Sequence, residues 1–294
     1  MAGDEPLTQA PGGPFWPAPA KLNLFLRVVG RRPDGYHELQ TVFQMLDHGD
    51  LLAFEASDGL AVARAYDLPG VPAERDLVLR AARLLQARTG CQLGVRIRLH
   101  KRLPMGGGLG GGSSDAATTL VALNHIWGCG LQAAELAELG LALGADVPVF
   151  VHGHAAWAEG VGERLMPVDL QEPWYLVIWP PVDVSTATVF ADPELTRDLA
   201  PITLRDFISG EHGNACEPVV RRRYPEVGRA MGWLDRFASA RLTGTGGCVF
   251  ATFDEPAPAR AILRRLPEPW HGFVARGRNR SPLVDKLRAL EDAS

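Results

Sequence analysis

Hydrophobic and polar positions alternate in KLNLFLRVVG at residues 21–30, with Leu22, Leu24 and Leu26 on one side and Asn23, Phe25 and Arg27 on the other. A period of two predicts a strand. GRRPDG at 30–35 predicts a turn, and the stretch from 37 to 56 resumes as strand with a break expected at His48-Gly49-Asp50. From Asp76 to Gln86 the period lengthens. Leu77, Leu79, Ala81, Leu84 and Leu85 recur at helical spacing, and Asp76 stands where a helix cap belongs. GVRIRLH at 94–100 is again a strand. Ala116, Leu120, Leu123 and Trp127 mark one face of a second helix, and a third is expected over Gln132–Leu143, ended by Gly144. Asp146 falls in the turn before VPVFV. Further strands are predicted in HAAWAEGV and WYLVIWP, and a further helix near Glu226–Phe237. Residues 1–16, rich in proline and poor in apolar side chains, read as a mobile leader. Near residue 168 the glycine-rich character fades, which predicts two units, 1–168 and 169–294.

Composition narrows the class. The 294 residues are 46% hydrophobic and 22% charged, enough apolar material for a sizeable core. The net charge of −4 disfavours a polyanion partner. Arg221-Arg222-Arg223 and the Arg276–Arg280 cluster read as solvated surface or anion contacts. The first residues are acidic where a signal peptide needs positive charge, and no run of about 18 apolar residues marks a membrane span. Cys91, Cys129, Cys216 and Cys248 never form C-x-x-C, a pattern that fits reduced thiols in the cytoplasm. His152 and His154 are the only close histidine pair and have no further ligand near them in sequence.

The chemistry concentrates in PMGGGLGGGSSDAAT at 104–118, where six glycines fall within seven positions. The flanks are a strand and a helix, which argues against a linker. Ser113, Ser114 and Asp115 are expected in the N-cap and first turn of that helix. Free N–H groups at a helix N-terminus, reinforced by the helix dipole, bind anions, and glycine lets phosphate oxygens reach bare backbone. The loop is therefore read as a phosphate cradle. It is not a Walker A loop, because no lysine follows Gly112. The G-x-G-x-x-G spacing is met almost automatically by so many glycines, and no acidic ribose contact follows in the right context. Neither H-R-D nor D-F-G occurs, which excludes a protein kinase.

Three segments in order carry a family resemblance: PAKLNLFLRVVGRRPDGYHEL at 19–39, the glycine loop running into SSDAA, and RLTGTGGCVFATF at 241–253. Together they resemble the GHMP kinases, which phosphorylate small molecules with ATP. DGYHEL and LGADVPVF narrow the resemblance to the branch acting on 4-diphosphocytidyl-2-C-methyl-D-erythritol in non-mevalonate isoprenoid synthesis. The resemblance implies an α+β fold of two domains, a ribosomal-S5-domain-2-like half and a ferredoxin-like half, with the active site between them. It implies Asp146 as general base and Lys21 as its cationic partner. It also implies nucleotide contacts from Pro104, Met105, Gly106, Gly107, Gly108, Leu109, Gly110, Gly111, Gly112, Ser113 and Ser114, with Lys101 and Asp76 flanking the adenine. Asp76 stands where an asparagine is common, so capping and adenine recognition both remain open for it. Acceptor contacts are implied for Asn23, Tyr36, His37, Thr186, Gly244, Gly246 and Gly247, the three glycines as a second backbone cradle. ATP and Mg2+ are the implied cofactors, with Ser114 as one candidate ligand of the metal. The implied partner is a small molecule, not nucleic acid or membrane, and the chain is expected as a monomer or homodimer. Rival readings are another GHMP kinase of mevalonate or phosphomevalonate type, or a nucleotide-binding regulator without catalysis.

Overall fold

A computed structural model describes residues 15–210 and 212–293. The first half of the chain runs β1 (Phe15–Arg31), β2 (His37–Ser57), β3 (Val62–Arg64), α1 (Leu77–Thr89), β4 (Gly94–His100), α2 (Gly111–Ile126), α3 (Ala133–Leu141), α4 (Val147–His152), β5 (Ala156–Gly160) and β6 (Arg164–Pro167). The second runs β7 (Trp174–Trp179), α5 (Thr186–Ala191), α6 (Leu204–Ser209), α7 (Glu217–Arg223), α8 (Pro225–Leu234), β8 (Arg241–Leu242), β9 (Val249–Phe253), α9 (Pro256–Leu263), β10 (His271–Arg278) and α10 (Pro282–Glu291). The fold is α+β, and one sheet runs through both halves in the order β3-β4-β2-β10-β7-β9-β8, with β1 and β5 also paired to β2. No helix among the described residues is long and apolar enough to cross a membrane.

Three clusters of buried side chains follow from this order. One packs α1, α2, α3 and α4 on β1, β2 and β4, through residues such as Leu85, Leu120 and Phe150. A second packs α7, α8 and α9 on β7 and β9, through Val220, Met231 and Ala251. The third joins the halves, with Leu22, Phe25 and Leu46 meeting Tyr175, Val177 and Phe250. After residue 168 the chain does not stay with its own half: α10 returns to the first cluster and buries Leu283 there. Each fully buried Leu, Val or Phe contributes about 1.5–3 kcal/mol of transfer free energy, so this central cluster holds the halves firmly together.

Several elements depart from the sequence pattern. Residues 1–14 of the expected leader lie outside the described residues. Phe15 and Trp16 belong to β1, where Trp16 pairs with Leu52 and packs into the first cluster at 5% exposure. Apolar burial of the indole outweighs the proline-rich local composition. Alternation in β1 also fails, because a register shift between Asn23 and Leu26 turns Phe25 into the same cluster as Leu22. Helix α1 begins at Leu77 as expected, with the Asp76 carboxylate accepting from the Val78 N–H at 2.9 Å. The N-cap of α2 is Gly110, not a serine, and Ser113–Asp115 fall inside its first turns.

The expected break at His48-Gly49-Asp50 is instead the buried middle of a continuous β2. His48 stacks on Phe273 with ring centroids 4.0 Å apart. A Cβ on Gly49 would stand 2.1 Å from the Ala18 carbonyl oxygen, so the glycine lets β1 and β2 approach rather than ending a strand. The Asp50 carboxylate accepts from the backbone N–H groups of Arg102 at 2.5 Å and Leu103 at 2.9 Å. Each residue of the turn-like triplet thus serves a tertiary contact.

Two outcomes follow. Gly49→Ala lowers the denaturant midpoint by the equivalent of about 2 kcal/mol or more, with the slope unchanged, because backbone lies where the methyl group would go. Burial, with the Arg102 guanidinium beside the ring, pushes the His48 pKa down to about 3 from 6.5. Below about pH 6.5 the unfolded chain takes up a proton that the native ring refuses, so stability is lost as pH falls toward 3. Chemical melts at stepped pH give a shallower acid-side slope for His48→Gln than for the unsubstituted protein.

Candidate active site

Lys21 lies in the buried run of β1 and is 3% exposed. Its ammonium donates to Asn23 Oδ1 at 2.6 Å and to the Gly108 carbonyl at 3.2 Å, and lies 3.3 Å from Asp146 Oδ2. The Phe43 ring lies 5.1 Å away. A buried ammonium persists only when paired in this way. The side chain of Asp146 remains 33% exposed where α4 begins. Asn23 is fixed in turn, donating through Nδ2 to Thr41 Oγ1 and through its backbone N–H to Thr243 Oγ1, both at 3.0 Å. Residues 21 and 146 therefore meet, with one carboxylate oxygen held by a cation and the group still reachable from solvent. Such a carboxylate is able to accept a proton from an alcohol.

The glycine loop lies directly beside this pair. The Lys21 backbone N–H donates to the Leu109 carbonyl at 3.0 Å. Gly110 has φ of +73°, and a Cβ there would meet the Phe150 ring at 2.7 Å. The loop is held at both ends by Lys101, whose ammonium donates to Asp50 Oδ2 at 2.5 Å and to Asp115 Oδ2 at 2.9 Å. Burial opposes the charged lysine, but the Asp115 and Asp50 carboxylates outweigh it and raise its pKa. Burial also pushes the Asp115 carboxyl up, against the pull of Lys101. Ser114 Oγ and Asp115 Oδ1 are buried with no hydrogen-bond partner. Asp76 lines the same cavity, yet both its oxygens already accept within the protein, from the Val78 N–H and from Arg64.

The cavity measures about 600 Å³ and runs from Arg64, Leu68, Val71 and Val78 past the glycine loop, Lys21 and Asp146 to Thr186 and Phe190. Lys21, Asn23, Asp76, Lys101, Pro104–Ser113, Asp146, Thr186 and Gly244 all stand in its wall. The second glycine turn is not an open cradle along its whole length. Gly246 packs on the first loop, where a Cβ would lie 2.2 Å from the Gly108 nitrogen, and Gly247 faces the Val182 carbonyl. Of that turn, Gly244 and Thr245 reach the cavity, with Thr245 hydrogen-bonded to Thr186 at 2.7 Å between hydroxyl oxygens. Tyr36 is 63% exposed on the β1–β2 turn and does not line the wall. His37 is not a wall residue but adjoins one, stacked on Phe190 at 4.9 Å, with its Nε2 accepting from Arg197 Nε at 3.0 Å.

Phe190, Arg197, Arg64 and Asp50 carry no motif in the sequence and emerge only from the fold, and Thr245, inside the 241–253 motif, is overshadowed there by its neighbouring glycines. Asp115 was visible in the glycine motif, but as a helix-start residue. Among the described residues no three His, Cys, Asp or Glu gather as a metal site, and the four cysteines are unbridged.

Comparison with known proteins places this arrangement. The family model for the GHMP kinases N terminal domain matches residues 76–154, and that for the GHMP kinases C terminal domain matches 196–272. A 4-diphosphocytidyl-2-C-methyl-D-erythritol kinase of Nitrosococcus oceani is 60% identical over 93% of this chain and 98% of its own. One of Pseudomonas aeruginosa is 59% identical over 93% of this chain and 97% of its own. The crystal structure of a 4-(cytidine 5'-diphospho)-2C-methyl-D-erythritol kinase superposes with a TM-score of 0.79 at 34% identity, covering 90% of this chain and 98% of its own. The mevalonate kinase of Methanococcus jannaschii shares the fold at a TM-score of 0.65 and 17% identity, over 91% of this chain and 99% of its own. The chain belongs to the GHMP kinases and, within them, to the 4-diphosphocytidyl-2-C-methyl-D-erythritol kinase family.

Proposed function

We propose that this enzyme transfers the γ-phosphoryl group of ATP to the tertiary 2-hydroxyl of 4-diphosphocytidyl-2-C-methyl-D-erythritol, giving the 2-phosphate and ADP. The observation that carries the reading is the Lys21–Asp146 pair, set beside the glycine loop and between two differently built ends of one cavity. The end near Leu68, Val71 and Val78 is an apolar slot suited to adenine, and backbone N–H groups of the loop cradle the triphosphate. The end near Thr186 and Phe190 takes the cytidine-bearing acceptor, with His37 and Tyr36 at its margin. Phe190 adds an aromatic face for a pyrimidine.

In this reading the acceptor hydroxyl lies beside Asp146. As its oxygen bonds to the γ-phosphorus, its proton passes to the Asp146 carboxylate and the bond to the ADP oxygen breaks. Lys21 fixes the position of the carboxylate and adds positive charge where phosphoryl negative charge gathers. Phosphoryl transfer is mostly positioning and charge stabilisation, so this supplies much of what the step requires. A magnesium ion would accompany the triphosphate; Ser114 Oγ, a hard oxygen donor buried without a protein partner in the first turn of α2, is the residue that would meet it, although Ser114 does not itself line the cavity. The ion, carried mainly by phosphate oxygens, would neutralise charge on the nucleotide. Asp76, with both oxygens engaged, acts as the cap of α1 and as the anchor of Arg64.

ADP release measured with Mg-ATP rises with 4-diphosphocytidyl-2-C-methyl-D-erythritol and stays at background with mevalonate, phosphomevalonate and homoserine. Release with another acceptor instead would discard the substrate assignment. Asp146→Asn lowers kcat about 100- to 10,000-fold while ATP binding by calorimetry is retained; near-normal turnover would remove Asp146 as the base. Lys21→Met lowers kcat as well and also destabilises the fold, since it strips the cation from Asp146 and the donor from Asn23.

A further inference from the structure

Arg197 lies between α5 and α6, 160 positions from His37 in sequence. Its guanidinium makes four hydrogen bonds. Nε donates to His37 Nε2 at 3.0 Å, Nη1 to the Leu195 carbonyl at 3.0 Å, and Nη2 to the carbonyls of Phe190 at 2.8 Å and Asp192 at 2.6 Å. One side chain thus ties the end of α5, which carries Phe190, to the first residue of β2. Arginine has five donors, no acceptor and a permanent charge. His37 Nε2 must therefore offer a lone pair, and the proton of the neutral ring lies on Nδ1. Nδ1 has no partner among the described residues.

The charged surroundings agree. Burial comes first, and then the charges of Arg197 and of Arg31, paired across on β1, lower the His37 pKa. The nearby Asp192 carboxylate is already engaged by Arg222 and Arg223, and Glu38 on the same strand lies against Gly30. Among the described residues, the charges that act on the ring are those of Arg197 and Arg31, and both disfavour the imidazolium.

We propose that Arg197 is a positioning residue for acceptor specificity: it fixes His37 against Phe190 as the Nδ1–H tautomer, so that the ring offers a hydrogen-bond donor to the pyrimidine. This rests on the reading of a cytidine-bearing acceptor. Cytosine presents two adjacent acceptors, N3 and O2, whereas N3 of uracil carries a hydrogen. A donor at Nδ1 favours the first, and the opposite tautomer would meet it with a lone pair. Breaking such a match leaves polar groups unpaired and costs about tenfold or more in affinity.

Nitrogen-15 spectra of the free enzyme, with His37 assigned from the spectrum of His37→Gln, test the tautomer without any catalysis. The expected signature at pH 8, where the ring is neutral, is a protonated Nδ1 and an unprotonated Nε2; a neutral ring protonated at Nε2 overturns the proposal. Arg197→Met removes the neighbouring cation, so His37 regains a pKa nearer its ordinary value and titrates as pH falls. In kinetics this variant raises KM for the cytidine acceptor about tenfold or more, leaves KM for ATP within about twofold, and narrows the preference over the uridine analogue. Arg197→Lys, which keeps a charged donor, recovers part of the loss. An unchanged acceptor KM in Arg197→Met, or equal increases for both substrates, sinks the positioning role. Failure of the underlying function shows separately, as an unsubstituted enzyme that releases no ADP with the cytidine acceptor.

Discussion

A lysine buried in a strand is the constraint on which the site depends. Removing an ammonium from water costs several kcal/mol unless it is compensated on every side. Lys21 obtains that compensation from three parts of the chain: Asn23 beside it, the Gly108 carbonyl of the glycine loop and the Asp146 carboxylate at the head of α4. Each must be brought to within about 3.3 Å, so the position of one charge sets the positions of the other elements. Asn23 extends the requirement to a fourth segment, because its backbone N–H is bound by Thr243. The second half of the chain is thereby drawn into the same small volume.

Glycine makes that convergence sterically possible. Two loops of backbone approach until a Cβ on Gly108 would lie 2.2 Å from the Thr243 carbonyl oxygen, closer than any side chain permits. The loss of chain entropy that so many glycines incur on folding is offset at the ends of the loop, not within it. Asp50 binds the backbone of residues 102 and 103, Lys101 binds Asp50, and Asp115 closes the other side from α2. The glycines between these fastenings keep their N–H groups available for an anion because the restraint comes from side chains outside the loop.

The pattern of the sequence revealed elements better than it revealed partners. Helix α1 and strand β4 are legible because their periodicity is set by a single buried face, whereas α2 is buried all round over Ser114–Leu123 and is legible mainly from the glycine run that precedes it. The cradle is legible because strand, glycine run and helix adjoin in sequence. By contrast, His48-Gly49-Asp50 reads as a turn by residue type, and only the approach of β1 and the position of residues 101–103 explain it as strand. Lys21 and Asp146 have no local feature that joins them; only the shared motifs suggested the pair. Arg197 and Phe190 lie in a segment without periodicity, and their contacts reach back to His37, so no window of sequence contains the information.

The two ends of the cavity are built from different material, and this separates what the wider family shares from what this branch selects. In the proposed reading phosphate is recognised by backbone N–H groups and a helix terminus, which tolerate many side-chain changes provided that the glycines remain. The fold can therefore persist in a mevalonate kinase at 17% identity. The acceptor end relies on side chains from the β1–β2 turn and the segment around residues 186–197, where Thr186, Phe190, His37 and Arg197 meet. If that end takes the acceptor as proposed, substitution there would alter which molecule is presented to Asp146 without disturbing the Lys21–Asp146 pair or the clasped loop. Of the residues assigned to the acceptor in the proposed reading, Asn23 also compensates the buried Lys21 charge, whereas Thr186, Phe190 and His37 take no part in that pairing, so acceptor specificity would change through those three at little cost to the buried ion pair.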